Sequence, residues 1–323
     1  MKEERTICFL LLSQAHLMDI AGPAQVFYEA SQLGPLTYKF IYCGTRASLT
    51  TEQGLQIANL QDFEKTNLKK SDYVIVPGID FNSFKSGTHR QEIRQIRPWL
   101  RMQVEKGVTV ASICSGSLIL AVCGILNEKK CTSHWKCIEY MIDRFPRVDV
   151  LIDRLFVKSD NIYTSAGMSS GIDMSLAILE NHHGPVLPAK VAREMVVYLR
   201  RGGIDSQQTI YLDYQTHFNP IIHKVQDYII SHPSEELGVS QLASICNLSV
   251  RSLTRLFKAA TNHTIVEFKN AVRIELARTL LHNNDFTLDK IATLSGFRSS
   301  RHLRRVWEKS APEPLRRSKK ANR

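Results

Sequence analysis

At 323 residues, 43% of them hydrophobic, the chain is long enough to bury two separate cores. Seven cysteines, an odd number scattered along the chain, exclude a disulfide framework and point to reduced thiols in a cytoplasmic protein. The formal net charge of +11 is unevenly spread: from Ile221 onward there are 18 Lys and Arg against 9 Asp and Glu, while the first 220 residues hold 24 against 22.

The chain opens on an apolar run at Ile7–Leu12, ICFLLL, with Gln14, His16 and Asp19 close behind. That run is too short for a membrane span and turns polar too soon for a signal peptide, so it predicts a buried first strand and no membrane association. Further runs at Tyr38–Tyr42, Tyr73–Val76 and Val108–Ile113 predict strands, and Glu92–Lys106 and Ser115–Leu126 predict helices between them. Strand and helix alternating at these lengths give an α/β domain with a largely parallel sheet. Residues 148–167, VDVLIDRLFVKSDNIYTSAG, read as a hairpin, and helices are expected again at Gly171–Glu180 and Val186–Leu199. Periodicity is lost over 200–220, where Gly202-Gly203 and Asn219-Pro220 mark a linker. The expected division is therefore a domain at 1–200, a linker at 201–220 and a second domain at 221–323. In the latter only helices are predicted, near 221–231, 239–246, 250–260, 264–282, 287–295 and 300–309.

This basic last third contains an internal echo: LASICNLSVRSLTRLF (242–257) and IATLSGFRSSRHLRRVW (291–307). In each, a short helix carries an alanine, Ala243 or Ala292. Four residues on comes Asn247 or Gly296, the residue types that best tolerate a left-handed turn. A serine able to cap a helix follows, Ser249 or Ser299, and then a basic helix with an apolar anchor, Leu253 or Leu303. That is helix, tight turn, helix, twice, the pattern of a helix-turn-helix DNA reader. Two such units predict double-stranded DNA as the partner, read in two successive major grooves about 34 Å apart. The residues placed to face bases are Arg251, Thr254 and Arg255 in the first unit and Ser300, Arg301 and Arg305 in the second; contact with phosphate alone is the alternative for each.

The phrases ELGVSQLA, RSLTRLFK, RIELARTLL and IATLSGF make 221–310 resemble the AraC/XylS-type DNA-binding domain. The chain departs from that family at its end, KSAPEPLRRSKKANR, where a Gly-x-x-Pro-x-x-Tyr-Arg phrase is usual.

In the first domain VTVASICSGSLILAVC (108–123) places Cys114 where a strand turns into a helix. Such an elbow sits at the edge of the sheet where open α/β folds bind ligands. The helix start favours an anion, which would lower the thiol pKa and raise its reactivity. A buried small hydrophobe is the alternative for Cys114. The segments MDIAGPAQVF, ASICSGSLILAVCGILNEKKCTSHW and YTSAGMSSGIDMSLAILENHHG make residues 5–200 resemble the PfpI-type domains, flavodoxin-like relatives of class I glutamine amidotransferases. The resemblance is strongest to the GlxA-like branch, fused to an AraC-type reader; a single-domain branch hydrates isonitriles.

What the resemblance implies is a ligand pocket at Asp19, Cys114, Ser115 and His134. Cys114 takes the nucleophile position, Asp19 that of an acid hydrogen-bonded to the thiol, and His134 that of a histidine beside the pocket. Ser115 stands where hydrolytic members carry their catalytic histidine, which argues against protease chemistry. For Asp19 a helix N-cap, and for His134 simple packing, stay open. Cys131, His134 and Cys137 in CTSHWKC lie too close together, with no fourth ligand, to be taken as a metal site, and no metal or cofactor is expected.

Two functions compete. One is a transcription regulator, with the α/β domain as sensor and homodimerisation module for a small-molecule effector. The resemblance further implies a nitrogenous metabolite as effector, activation more often than repression, and contact with RNA polymerase. The other is a cysteine-dependent small-molecule hydratase or amidase.

Overall fold

The computed structural model describes residues 3–152, 154–197, 201–203, 207, 217, 219–281, 286–310 and 315. The chain divides into two compact units, Met1–Gln207 and Gln208–Arg323. The expected linker, 201–220, lies mostly outside the described residues.

The first unit has strands β1 (Glu3–Leu11), β2 (Leu36–Gly44), β3 (Ser48–Thr50), β4 (Gln56–Ala58), β5 (Gln61–Asp62), β6 (Tyr73–Val76), β7 (Thr109–Ile113), β8 (Lys130–Cys131), β9 (Asp149–Val150), β10 (Phe156–Ser159) and β11 (Ile162–Ser165). Its helices are α1 (Leu17–Leu33), α2 (Phe81–Ser86), α3 (Arg90–Glu105), α4 (Gly116–Val122), α5 (Trp135–Arg144), α6 (Met168–His183) and α7 (Val186–Glu194). The main sheet has the order β10-β11-β7-β6-β1-β2-β5. All its pairings are parallel except β10 with β11, the hairpin expected at 148–167. Without the two-residue β5 and the antiparallel β10, the order is the flavodoxin-like one, and the strand direction of winding reverses between β1 and β6.

Both faces of the sheet are covered, so the strands read as continuous apolar runs rather than alternating ones. Along β1, Cys8 and Leu10 join a core with α3, α4 and α5, through Ile96, Leu118 and Met141. Ile7, Phe9 and Leu11 join the opposite core with α1, α6 and α7, through Phe27, Leu179 and Val191. Full burial of each such side chain stabilises by roughly 1.5–3 kcal/mol. A period of two thus feeds two hydrophobic layers, giving the expected α/β sandwich.

The second unit is helical throughout its described residues: α8 (Pro220–Ser231), α9 (Val239–Ile245), α10 (Val250–Thr261), α11 (Ile265–Leu281), α12 (Leu288–Leu294) and α13 (Ser300–Ser310). It holds two small cores. Ile222, Leu242, Leu253, Phe257 and Phe268 make one, and Ala277, Ile291, Leu303 and Trp307 the other. The first part of α11 packs into one core and its second part into the other, so this helix spaces the two. Among the described residues no helix is long and apolar enough to cross a membrane.

The loop from β1 to α1, which carries His16, is tied to α3. Glu92 accepts hydrogen bonds from the Ser13 N–H (3.4 Å), Ser13 Oγ (3.0 Å) and Thr45 Oγ1 (3.2 Å), and its second oxygen lies 3.3 Å from His89 Nδ1. Burial by itself would raise this carboxyl, but the bonds from His89 and Ser13 outweigh it and hold it below the ordinary 4.5. A depressed folded value means the stabilisation is complete above about pH 4.5 and is lost as pH falls through the folded value. Glu92→Gln is expected to cost about 1–3 kcal/mol at neutral pH. It should also flatten the acid limb of a stability profile measured by urea unfolding; an unchanged acid limb would count against this anchor.

Candidate functional site

Cys114 closes β7 and opens α4 with φ +56°, a left-handed conformation that costs a non-glycine residue of order 1–3 kcal/mol. Its backbone is held on both sides. The Cys114 N–H donates to Ser165 O on β11 (3.0 Å), and Cys114 O accepts from Ser117 Oγ and Ser133 Oγ, each at 3.2 Å. The elbow therefore stands at the C-terminal ends of β1, β6 and β7, across the switch point of the sheet.

Three of the four expected pocket residues meet there. Asp19, fully buried, accepts the Gly78 N–H at Oδ2 (2.9 Å). The Cys114 sulfur lies within 4.8 Å of its carboxylate. Ser115 faces the loop after β6: its Oγ accepts the Ile79 N–H (2.8 Å) and donates to Ile79 O (2.6 Å), so the hydroxyl locks two loops together. His134 is placed differently. It caps α5, its Nδ1 accepting the Lys136 N–H (3.3 Å), and its ring lies against Gly167. No hydrogen bond joins it to Asp19 or Cys114 among the described residues. Asp19 is not a helix N-cap, because α1 starts two residues before it, with His16 in the cap position.

The thiol is not activated in the way its position predicts. Burial first, and the Asp19 charge second, push the Cys114 thiol well above the ordinary cysteine range; only the Ser115 N–H favours the thiolate. The expected lowering rested on a helix start, yet α4 has only seven residues and Cys114 is 3% exposed, so desolvation wins. Burial likewise raises Asp19 to about 7, against a smaller opposing effect of the Gly78 N–H.

Two further residues that spacing alone did not reveal stand beside this cluster. His16 sits 3.7 Å from Asp19 Oδ2 through Nδ1 and 2.7 Å from Glu52 through Nε2. Gly78 is squeezed between them all. A Cβ there would stand 2.8 Å from Asp19 Oδ2, 2.9 Å from the Cys114 Cβ and 2.9 Å from Ser115 Oγ.

The second unit forms the two expected helix-turn-helix units. Asn247 (φ +53°) and Gly296 (φ +78°) make the two left-handed turns. Ser249 caps α10 through the Ser252 N–H (3.1 Å), and Ser299 accepts the His302 N–H (3.2 Å) at the start of α13. Arg251, Thr254 and Arg255 are exposed on α10, opposite the fully buried Leu253 and Phe257; Arg301 and Arg305 are exposed on α13, opposite Leu303 and Trp307. Two expected readers are less free. The Thr254 hydroxyl donates back to Val250 O (2.8 Å), and Ser300 is half-buried. Arg304 and Lys258 are exposed on the same helices.

The two helix-turn-helix units are joined by a staple centred on the buried Arg273. Arg273 of α11 donates to Pro233 O (2.9 Å) and Glu235 O (2.8 Å), Lys269 donates to Leu237 O (2.6 Å), and Arg298 reaches Glu236 (2.9 and 2.8 Å). Gly296 packs so tightly here that a Cβ would stand 2.7 Å from Pro233 O and 2.8 Å from Arg273 Nε. The loop before α9 is thus fastened to the turn before α13, and the recognition helices keep one mutual orientation.

Gly78→Ala is expected to cost about 1–3 kcal/mol, as overpacking does when backbone and short side chains cannot give way. Urea unfolding measures it; an unchanged midpoint would mean that the loop after β6 does not hold the elbow closed.

Residues 5–181 match the profile of the DJ-1/PfpI family, and residues 242–318 that of a helix-turn-helix domain. The HTH-type transcriptional regulator GbdR of Pseudomonas aeruginosa is 28% identical over 312 residues, covering 95% of this chain and 82% of that protein. An isonitrile hydratase of Pseudomonas putida is 27% identical over 176 residues, covering 54% of this chain and 70% of that enzyme. In fold the first unit is like a THiJ/PfpI family protein from Pseudomonas syringae, with a TM-score of 0.52 at 20% identity, covering 64% of this chain and 79% of that one. The first of these matches spans more than half of the chain, and with the tandem reader behind it the chain belongs to the DJ-1/PfpI family, in the arrangement that joins this domain to an AraC-type helix-turn-helix domain.

Proposed function

We propose that this chain is a sequence-specific DNA-binding transcriptional regulator whose α/β domain binds a small-molecule effector. The observation that carries the reading is the pair of capped, basic recognition helices held in one orientation by α11 and the Arg273 staple. An enzyme has no use for two aligned readers of this kind, and the relative that matches along 95% of this chain is named a transcriptional regulator. The effector would enter at the elbow, beside Asp19, Cys114 and His16, with His134 at the margin. Its binding would shift the population of α/β dimers and so the placement of the readers. Activation, through contact with RNA polymerase, is the sign of regulation this reading adopts.

The test is a titration of the purified protein against labelled DNA from upstream of its own gene cluster, with a length-matched scrambled duplex as competitor. A preference of about 10³ or more, falling steeply with salt, is expected. Arg255→Ala should cost about 1–3 kcal/mol and relax the choice of base at one position if it reads a guanine. Equal, weak binding of both duplexes across a wide DNA pool, with and without candidate effectors, would sink the reading.

A second reading is kept by one observation: a carboxyl near neutrality beside a buried thiol, in a domain similar to an isonitrile hydratase. Cys114→Ala separates the two. A sensor keeps DNA binding and loses its response to the effector, whereas an enzyme loses turnover of an isonitrile or amide substrate.

A further inference from the structure

We propose that His16, Asp19 and Cys114 form a binding site for a borderline-soft divalent cation of the Zn²⁺ type, with three protein ligands and a fourth position open to an exogenous donor. One donor atom from each residue, a ring nitrogen, a carboxylate oxygen and a sulfur, lies within 4.8 Å of the other two. Bonds of about 2.0–2.3 Å to one tetrahedral ion put its ligand atoms roughly 3.3–3.8 Å apart. The His16 Nδ1 and Asp19 Oδ2 atoms already stand at 3.7 Å.

The hydrogen bonding around these residues leaves two buried acceptors unmet. Glu52 lies 2.7 Å from His16 Nε2. A carboxylate only accepts, so Nε2 carries the ring proton and Nδ1 is left as a bare acceptor. Among the described residues that Nδ1 has no hydrogen-bond partner, and neither does Asp19 Oδ1, although His16 is 9% exposed and Asp19 not at all. The other Asp19 oxygen is taken by the Gly78 N–H, which fixes the plane of the carboxylate. A buried ring nitrogen and a buried carboxylate oxygen left without donors are costly, and a cation ligated by these side chains removes that cost. Glu52 behind His16 repeats the outer carboxylate that orients a metal-bound imidazole and sets its tautomer.

Charge and softness select the ion. A thiolate and a carboxylate carry two negative charges, which a dication cancels inside a site closed to water. One sulfur and one imidazole suit Zn²⁺ or Co²⁺ and not the oxygen-seeking Mg²⁺ and Ca²⁺. On binding, the Cys114 S–H bond breaks, the sulfur keeps the electron pair and donates it to the metal, and the proton leaves to solvent. The Ser115 hydroxyl, already engaged with Ile79, does not compete for the fourth position.

The test uses untagged, full-length protein freed of metal by chelation and titrated with Co²⁺, then back-titrated with Zn²⁺. It is done without DNA and so stands apart from the regulator reading. One equivalent of Co²⁺ should bring up a thiolate-to-cobalt charge-transfer band in the near ultraviolet, with release of protons, and Zn²⁺ should bleach it. Cys114→Ala should abolish the band. His16→Ala and Asp19→Asn should each weaken affinity by 10-fold or more, and Glu52→Gln by about 10-fold. Glu52 is partly exposed, so the last variant keeps the test alive if a core variant fails to fold. Absence of the band at millimolar Co²⁺ would overturn the proposal. So would a band that survives Cys114→Ala and disappears with Cys137→Ser, which would move the metal to the Cys131–Cys137 segment.

Discussion

A left-handed cysteine between a central strand and a helix is the constraint on which the first unit depends. Cys114 can hold φ +56° only because its neighbours leave it no alternative. Ser165 on the next strand takes its N–H, two serines from different segments take its carbonyl, and Ser115 fastens the next residue to the loop after β6. That loop in turn needs Gly78, since any side chain there would collide with Asp19, Cys114 and Ser115 together. The three loops that follow β1, β6 and β7 are therefore one object. Strain at the thiol, the fixed carboxylate of Asp19 and the bare glycine are three views of the same packing.

The second unit solves a related problem by other means. Two small helical cores of this size are each marginal, and here they are kept from swinging apart. One long helix is shared by both cores, and its Arg273, a residue 7% exposed, donates to two loop carbonyls beside the second turn. A buried arginine that donates to two backbone oxygens fixes geometry more firmly than an exposed ion pair such as Arg298 with Glu236, which is screened by solvent. The orientation of the readers therefore rests on Arg273 and Gly296 more than on Arg298.

Local rules made most of the architecture legible. Helices α8 to α13 fall within two residues of where periodicity put them, because Asn219, Ser249, Thr287 and Ser299 cap and Asn247 and Gly296 turn, each a property of a few adjacent residues. The strands at 73–76 and 109–113 were readable because both faces of the sheet are buried. What was not legible depends on distance along the chain. The predicted helix 115–126 stops at Val122, with Gly124 in the left-handed region. The direction of the Cys114 shift turns on burial by segments far away in sequence, and no local pattern encodes it. His16, Glu52 and Gly78 lie in loops without spacing signals and become a site only when β1, β6 and β7 are neighbours; Arg273 reads as one more helix arginine until the loop 233–237 closes on it.

The electrostatics of the elbow bear on what kind of chemistry it suits. A thiol that is buried and held protonated is a poor nucleophile at neutral pH, since the thiolate is the reactive form. A carboxyl raised to about 7 by the same burial is likewise poised between its two states rather than committed to one. Such a pair responds to the charge of whatever enters: a positive charge would favour the ionised form of both groups, and a neutral ligand would not. Binding free energy is thereby coupled to the packing of three loops at the switch point of the sheet. That coupling fits a site that reports occupancy better than one that turns over substrate, and it gives the strained backbone at Cys114 a use in an equilibrium sensor, because loops held in a costly conformation are the ones that a bound ligand can most readily reset.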